Sequence, residues 1–210
     1  MNSSTELVLV VSDMNVPLKK IGIPAQYKNL LIPNKLQHVL ALGNIGSKDS
    51  VDWLKSLSND FHIVKGDLDE ENYPNTKVVN IGAFKIGMIH GHQVYPYGDL
   101  ESLSNVQRQL GCDILLSGNT HTHSVELYDN KYFINPGSIS GSSSYNNPSP
   151  VPSFILMVIQ GEDAIVYVYE LPDENQKFTF TKMEFKKNSN SLKVIEDGDE
   201  ADENEDAEES

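Results

Sequence analysis

The chain has 210 residues, of which 39% are hydrophobic and 22% are charged, and its formal net charge is −14 at pH 7. These values are typical of a soluble globular domain and exclude a chain that is disordered throughout. Ten of the 30 acidic residues lie between Glu196 and Ser210, so the rest of the chain has a formal charge of −4, with no basic stripe of the kind that binds nucleic acid.

The cellular compartment is predicted from the start of the chain and from its cysteine content. The opening segment, "MNSSTELVLVVSD", has no basic region, and its apolar run from Leu7 to Val11 is too short for a signal peptide or a membrane span. Cys112 is the single cysteine, and we expect it to be buried ahead of a strand. Both features favour a reducing, cytosolic location.

Five short apolar runs in the first 118 residues have the length and composition of strands that are buried on both faces. They are "LVLVV" at 7–11, "HVLALG" at 38–43, "FHIVKG" at 61–66, "FKIGMIHG" at 84–91 and "DILLSG" at 113–118.

Helix-like segments separate these runs. One starts at Pro24, a second starts after Ser47 as N-cap, and a third runs from Gly98 to a C-terminal glycine at Gly111. Strands that alternate with helices indicate βαβ units and a largely parallel sheet.

From Val125 onwards the pattern changes to strands alone, with a hairpin signal at Asn130. We expect these strands to form a second, mostly antiparallel sheet, and residues 138–153 to form a mobile loop. The predicted fold class is α/β, a four-layer α-β-β-α sandwich of two mixed sheets. The predicted domain covers residues 1–188, and residues 189–210 are predicted to be a disordered acidic tail.

Polar residues follow each of the five buried runs, and this is the strongest functional signal in the sequence. The five ends are Ser12–Asn15, Gly43–Asn44, Gly66–Glu70, His90–His92 and Gly118–His121. The carboxyl ends of strands in an α/β sheet form the ligand crevice, so these side chains should converge there. Asp, Asn and His are ligands for one or two divalent cations.

The order of these strand ends resembles the D-x-H, GD, GNHD, GH and GHxH pattern of calcineurin-like metallophosphoesterases, whose fold is a two-sheet sandwich flanked by helices. Within that superfamily, "LIPNKLQHVLALGN", "HIVKGDLDEENYP", "FKIGMIHGHQVYPYGD", "QRQLGCDILLSGNTH" and "YFINPGSISG" are similar to the phosphoesterase-fold subunits of retromer, the endosomal sorting coat of the vacuolar protein sorting family. The resemblance runs from about Leu7 to about Lys186.

The resemblance implies a metal site in which only part of the enzyme pattern is intact. Asp13, His90 and His121 match ligand positions, and Asp67 stands where the pattern has Asn. The implied ligand set is weak and consists of Asp13, Asn44, Asp67, His90 and His121. His92 and His123 fall outside the pattern and are interpreted as surface or supporting groups.

Four other positions depart from the enzyme pattern in ways that weaken catalysis. Asn44 replaces the bridging Asp. Leu68 replaces the His that assists the leaving group, and the loss of this general acid alone would lower the reaction rate by a factor of about 10² to 10⁴. Asn15 and Asn119 replace imidazole ligands. We therefore predict no enzyme and no required cofactor. Weak residual hydrolysis, one loosely bound Mn, Zn or Mg ion, and a metal-free pocket of hydrogen-bonded Asn and His remain open.

Two binding surfaces are implied by the same resemblance. In the first, Val94, Tyr95, Pro96 and Tyr97 lie beside the crevice and face a large α-solenoid subunit of retromer, unless the rings pack under their own loop.

In the second surface, an apolar pocket receives a Pro-Leu turn of regulatory proteins. The positions that match it are Leu30, Lys35, Leu156, Tyr167 and Tyr169. Alternation puts the two tyrosines on one face of a strand, which would equally suit a buried core face.

The function predicted from these features is a non-catalytic retromer scaffold for endosome-to-Golgi and plasma-membrane protein sorting. We expect it in the cytoplasm, peripheral on endosomes, and in contact with membrane only through the complex. The first alternative is an active metal-dependent phosphodiesterase that uses Asp13, Asp67, His90 and His121. The second is a sensor of a nucleotide or phosphate.

Overall fold

The computed structural model describes residues 4–173 and 177–199. Its helices are α1 (Ala25–Leu30), α2 (Lys48–Leu57) and α3 (Leu100–Leu110). Its strands are β1 (Thr5–Val11), β2 (His38–Ala41), β3 (Asp60–Ile63), β4 (Thr76–Ile81), β5 (Phe84–Ile89), β6 (Ile114–Leu116), β7 (His123–Tyr128), β8 (Lys131–Pro136), β9 (Ser153–Gln160), β10 (Asp163–Glu170), β11 (Thr179–Lys186) and β12 (Leu192–Asp199).

All three predicted helices are present, and side chains cap the first turns of α2 and α3. The hydroxyl of Ser47 accepts a hydrogen bond from the Ser50 backbone N–H and caps α2. Asp99 caps α3 in the same way through the backbone N–H of Ser102, and α3 ends at Gly111 in the left-handed conformation.

The strands form two mixed sheets, but their division differs from the one expected. A seven-stranded sheet has the order β12-β11-β10-β9-β1-β2-β3, and a five-stranded sheet has the order β4-β5-β6-β8-β7. The N-terminal and C-terminal strands therefore do not form separate parallel and antiparallel sheets. The physical reason is pairing between the two halves of the chain, since β9 pairs antiparallel with β1 and β8 pairs parallel with β6. The sequence reading also missed β4, which pairs with β5 as an antiparallel hairpin around Gly82 and starts the second sheet.

Three hydrophobic clusters fill the spaces between four layers, which confirms the predicted α-β-β-α sandwich. The largest lies between the sheets and includes Val10, Phe84 and Met157. A second joins the seven-stranded sheet to α1 and α2 and includes Tyr27. The third packs α3 on the five-stranded sheet and contains the buried, free Cys112.

The predicted start of the acidic tail at residue 189 is wrong. Residues 192–199 form β12, which pairs antiparallel with β11 from Leu192 opposite Phe185 to Asp199 opposite Thr179. Leu192 packs on the inter-sheet cluster, so the first residues of this segment contribute apolar surface that the acidic composition concealed. Residues 200–210, the rest of the predicted tail, lie outside the described residues.

The loop at 138–153 is anchored at its start, in contrast to the expected mobile loop. Ser138, Ser140 and Ser142 are buried, and their hydroxyls donate hydrogen bonds to the backbone carbonyls of Asp13 and Met14. None of the helices in the described ranges is long and apolar enough to cross a membrane.

Candidate functional site

The carboxyl ends of β1, β2 and β3 in one sheet meet those of β5 and β6 in the other. Asp13 lies at the centre of this crevice, fully buried, and its Oδ1 is 3.2 Å from Nε2 of His121 and 3.8 Å from Nε2 of His90. The same oxygen accepts a hydrogen bond from Nδ2 of Asn44 at 3.4 Å. Asp67 joins the cluster through Oδ1, 3.3 Å from Nε2 of His90. The structure thus brings together all five residues of the predicted ligand set.

Left-handed backbone conformations direct these side chains into the crevice. The φ angles are 51° at Asp13, 50° at Asn15, 53° at Asn44, 68° at Asn119 and 59° at His121. Asn, Asp and His adopt this region several-fold more often than other non-glycine residues. Asn at positions 15 and 119 therefore suits the same backbone conformation as the His expected there from the phosphoesterase pattern.

The amide of Asn44 occupies the middle of the crevice with its nitrogen facing the acidic groups. Oδ1 accepts the backbone N–H of Leu68 at 2.9 Å, which fixes the orientation of the amide. Nδ2 then points at Oδ1 of Asp67, 2.9 Å away, and at Nε2 of His90, 3.0 Å away. A neutral amide nitrogen donates hydrogen bonds but does not ligate a cation.

Hydrogen bonds hold Asp13 and His90 in single orientations. Asp13 Oδ2 accepts the Ser12 hydroxyl and the Asn119 backbone N–H, each at 2.8 Å. Nδ1 of His90 bonds the Leu42 carbonyl at 2.6 Å.

Electrostatics in the crevice favour the charged forms of Asp13 and His90. Burial raises the pKa of Asp13, but His90 and His121 outweigh it and hold the pKa below its usual value. Burial also acts to lower the pKa of His90, and Asp13 and Asp67 together raise it.

Asp67 and His92 form the open side of the crevice. The Asp67 side chain is 46% exposed, and its hydrogen bonds with His90 and Asn44 hold its pKa well below the usual range. The ring of His92 lies 5.4 Å from that of His90, centroid to centroid. Burial and the neighbouring His90 lower the pKa of His92, so its ring is neutral at pH 7.

The residues present fit one divalent cation but not a two-metal centre. Asn44 provides no bridging anion, and its N–H groups occupy the space between the Asp13 and Asp67 carboxylates. Nδ2 of Asn15 donates to the hydroxyl of Ser142 at 3.0 Å rather than facing a cation. Among the described residues, Asp67, His90 and His92 form a group whose ligand atoms all lie within 4.8 Å of one another.

Several supporting residues were missed by the sequence reading. Asp69 Oδ2 accepts the backbone N–H groups of Asn44 and Gly66, each at 2.8 Å, and so joins two strand ends. The backbone carbonyl of Ser142 forms a hydrogen bond with Nδ1 of His121. The only sequence signal for this role of Ser142 was the run of small polar residues in "SISGSSS", which was interpreted as loop composition.

The crevice mouth is rimmed by apolar side chains. Leu68 stands where a catalytic imidazole is expected and is 44% exposed. It lines a groove of about 670 Å³ together with Asn44, Leu18 and Tyr73. Leu18 is 68% exposed.

Three of the four residues of the predicted loop surface at 94–97 are exposed. Tyr95 and Tyr97 are 83% and 47% exposed, with their rings 6.1 Å apart edge to face, and Pro96 is exposed. Val94 is buried in the cluster under α3, so its assignment to the docking surface is wrong. The valine anchors the loop, and the rings of Tyr95 and Tyr97 extend into solvent.

The second predicted surface lies on the outer face of the seven-stranded sheet. Leu156 and Tyr167 face each other in the register of β9 and β10 and are half-buried, as is Leu30. Tyr169 stacks on Phe154 with ring centroids 5.0 Å apart. Lys35 is exposed on the segment between α1 and β2.

Comparison with known proteins assigns this architecture to a family. The calcineurin-like phosphoesterase superfamily domain matches residues 7–162. The vacuolar protein sorting-associated protein 29 of Schizosaccharomyces pombe is 36% identical over 186 residues, which cover 86% of this chain and 98% of that protein.

Two solved structures are similar over most of the chain. Vacuolar protein sorting 29 from Cryptosporidium parvum is 39% identical, with a TM-score of 0.84, and the match covers 87% of this chain and 99% of that one. Wild-type Vps29 from Entamoeba histolytica, complexed with zinc, is 40% identical with a TM-score of 0.76, covering 92% and 98%. The chain therefore belongs to the calcineurin-like phosphoesterase superfamily and, within it, to the Vps29 family of vacuolar protein sorting-associated proteins.

Proposed function

We propose that the chain is a non-catalytic scaffold subunit of retromer that docks the large α-solenoid subunit on the rim of its crevice. The observation that carries this proposal is the orientation of Asn44. Its amide nitrogen lies where a two-metal phosphoesterase needs a bridging anion, 2.9 Å from Asp67 and 3.4 Å from Asp13.

The position of Leu68 also argues against turnover. Its backbone N–H bonds Asn44, and its side chain has no proton to give a leaving group. The alternative of an active phosphodiesterase using Asp13, Asp67, His90 and His121 would need both a bridging ligand and a general acid from elsewhere.

The crevice rim supports docking of a protein partner. Tyr95 and Tyr97 project from a loop anchored by Val94, and Leu18 and Leu68 expose apolar surface at the mouth. Exposed aromatic rings next to aliphatic side chains provide the large contact area typical of interface centres. We propose that the end of the solenoid covers these residues.

The outer face of the seven-stranded sheet is proposed as the site for regulatory proteins. Leu30, Leu156 and Tyr167 are half-buried, and the stacked pair of Tyr169 and Phe154 provides a rigid base beside them. A Pro-Leu turn would add apolar contacts there, with Lys35 at the margin. On this proposal the chain functions in the cytoplasm and reaches endosomal membranes only through the complex.

The test measures complex formation and hydrolysis on the same preparations. Full-length chain is mixed with recombinant α-solenoid subunit and analysed by size-exclusion chromatography and calorimetry. Tyr95→Asp should weaken binding at least tenfold, because it places a charge in the centre of the rim, whereas Asp67→Ala should bind like wild type. Leu156→Asp should leave solenoid binding intact and abolish binding of a Pro-Leu turn peptide.

Hydrolysis of an aryl phosphodiester is then followed against Mn²⁺ concentration, with Asp67→Ala as the control for contaminating enzyme. We expect no turnover above that control. Metal-saturable turnover that disappears in Asp67→Ala would refute the non-catalytic assignment, and unchanged solenoid binding by Tyr95→Asp would refute the proposed interface.

A further inference from the structure

A cluster of three side chains at the open side of the crevice has the composition of a mononuclear metal site. Asp67, His90 and His92 each offer a ligand atom, and these atoms lie within 4.8 Å of one another. Two imidazoles and one carboxylate are a common protein ligand set for Zn²⁺ and similar divalent ions, with water completing the coordination.

The spacing of the first two ligands already suits one ion. Oδ1 of Asp67 and Nε2 of His90 are 3.3 Å apart. Two ligand atoms on a tetrahedral zinc at about 2.0–2.1 Å are separated by about 3.3 Å. Nδ1 of His90 bonds the Leu42 carbonyl at 2.6 Å, which directs Nε2 towards Asp67. A carbonyl on the second ring nitrogen is the arrangement that orients histidine ligands.

His92 provides a second, independent indication. Its Nδ1 is buried and has no hydrogen-bond partner among the described residues. A buried polar atom without a partner costs about 1–3 kcal/mol, so a bound ligand would remove a penalty at this position. His121 differs, because its Nδ1 bonds the Ser142 carbonyl and its Nε2 lies 3.2 Å from Asp13.

We propose that Asp67, His90 and His92 bind one divalent cation, and that His92 replaces the imidazole that the phosphoesterase pattern has at Asn119. The two positions are close in space, since a Cβ built at Gly91, the residue before His92, would lie 3.5 Å from Cβ of Asn119. The amide Nδ2 of Asn119 is itself buried and unpartnered in the described part of the chain. The site thus combines two family positions with one ligand from outside the family pattern.

The hydrogen bonds of Asn44 set the strength of this site. Nδ2 of Asn44 lies 2.9 Å from Asp67 Oδ1 and 3.0 Å from His90 Nε2, and the cation must displace these two contacts. His92 must also move by at most about 1.5 Å to reach tetrahedral spacing. Both requirements lower the affinity, so we expect micromolar rather than nanomolar binding.

The experiment uses the metal alone, on full-length, metal-free protein. Zn²⁺ binding is measured by calorimetry, and Co²⁺ binding by visible absorption, which reports ligand number and type. His92→Gln is compared with the control His123→Gln, at a histidine outside the metal pattern that pairs with Glu170, and with His121→Gln, at a histidine of the family pattern. Thermal unfolding in chelator first establishes that each variant is folded.

We expect one ion per chain, at least tenfold weaker Zn²⁺ binding in His92→Gln with an altered Co²⁺ spectrum, and less than threefold change in His123→Gln. The proposal is overturned if His121→Gln loses the ion while His92→Gln keeps it, or if no stoichiometric binding occurs below millimolar Zn²⁺. Solenoid binding is a separate measurement, so failure of the scaffold proposal leaves this result interpretable.

Discussion

Substituting Asn44 by Asp tests the electrostatic logic of the crevice directly. The change replaces the Nδ2 amino group by a carboxylate oxygen at almost constant shape, and it preserves the acceptor for the Leu68 backbone N–H. It also preserves a residue type that tolerates the φ of 53° at this position. The substitution therefore alters charge with little change in packing or backbone strain.

The new oxygen would lie about where Nδ2 lies, 2.9 Å from Oδ1 of Asp67 and 3.4 Å from Oδ1 of Asp13. Like charges at such distances repel by about 5–6 kcal/mol each at an effective dielectric of 20. The His90 imidazolium, 3.0 Å from the same atom, offsets only one of the two repulsions, so the new carboxyl takes a proton instead. A folded-state pKa raised by about 2–3 units corresponds to about 3–4 kcal/mol of lost stability at pH 7. For a domain of this size, the melting temperature falls by about 10 °C.

The assay is thermal and urea unfolding at pH 4 to 8, with Asn34→Asp as the control. Asn34 is an exposed asparagine with a φ of 66°, so it shares the left-handed backbone conformation of Asn44 but not its acidic neighbours. A carboxyl whose folded pKa is raised binds its proton more tightly in the native state. The stability deficit of Asn44→Asp therefore grows as pH rises above about 4 and levels off above the folded pKa.

Divalent cations should reverse the deficit, because the new carboxylate restores a bridging anion. At a Mn²⁺ concentration of 100 times the dissociation constant, binding should restore about 2.7 kcal/mol of the free energy of unfolding. If Asn44→Asp is as stable as wild type at pH 8 and insensitive to Mn²⁺, the amide nitrogen does not face the carboxylates and the reasoning fails.

Two further predictions concern packing, and a third concerns the ion pairs of Asp113 at the amino end of β6. Gly118→Ala should lower the free energy of unfolding, measured in urea, by more than about 2 kcal/mol, because its Cβ would lie 2.0 Å from the hydroxyl oxygen of Ser12. The control Gly22→Ala, whose Cβ would have no atom within 4 Å, should change it by less than about 0.5 kcal/mol. Ser142→Ala should cost about 1–2 kcal/mol by the same assay, since it leaves the Asn15 amide without its acceptor. Burial raises the pKa of Asp113, but the Lys85 backbone N–H and two lysine side chains hold it below its usual value, so Asp113→Asn should cost about 1–2 kcal/mol at pH 7. The difference from wild type should vanish as pH falls through the folded pKa; an equal difference at pH 3 and pH 7 would contradict the assigned ion pairs.

The sequence was sufficient to predict the layers and the position of the crevice, because both depend on local patterns. Apolar runs that end in Asp13, Asn44 and His90 encode buried strands and the polar residues at their carboxyl ends. The caps at Ser47 and Gly111 likewise depend on a few neighbouring residues.

Features that depend on distant pairing were not predictable from the same patterns. The second sheet begins at β4 because Gly82 allows a tight turn, and the short alternating segment before it resembles loop sequence. Burial of Val94 depends on α3 packing over it. The acidic composition of the last residues likewise concealed Leu192, which is partly buried because β12 pairs with β11.

The left-handed conformations at the crevice have a consequence for how this chain could change in evolution. At five positions there, the positive φ favours Asn, Asp or His over other non-glycine residues, and this preference holds whether or not an ion binds. Replacing His by Asn at positions 15 and 119 could therefore remove imidazole ligands while the surrounding loops, and any partner surface they form, kept their shape. Because the path of the main chain is retained, regaining a metal ligand requires only a single side-chain replacement at either position.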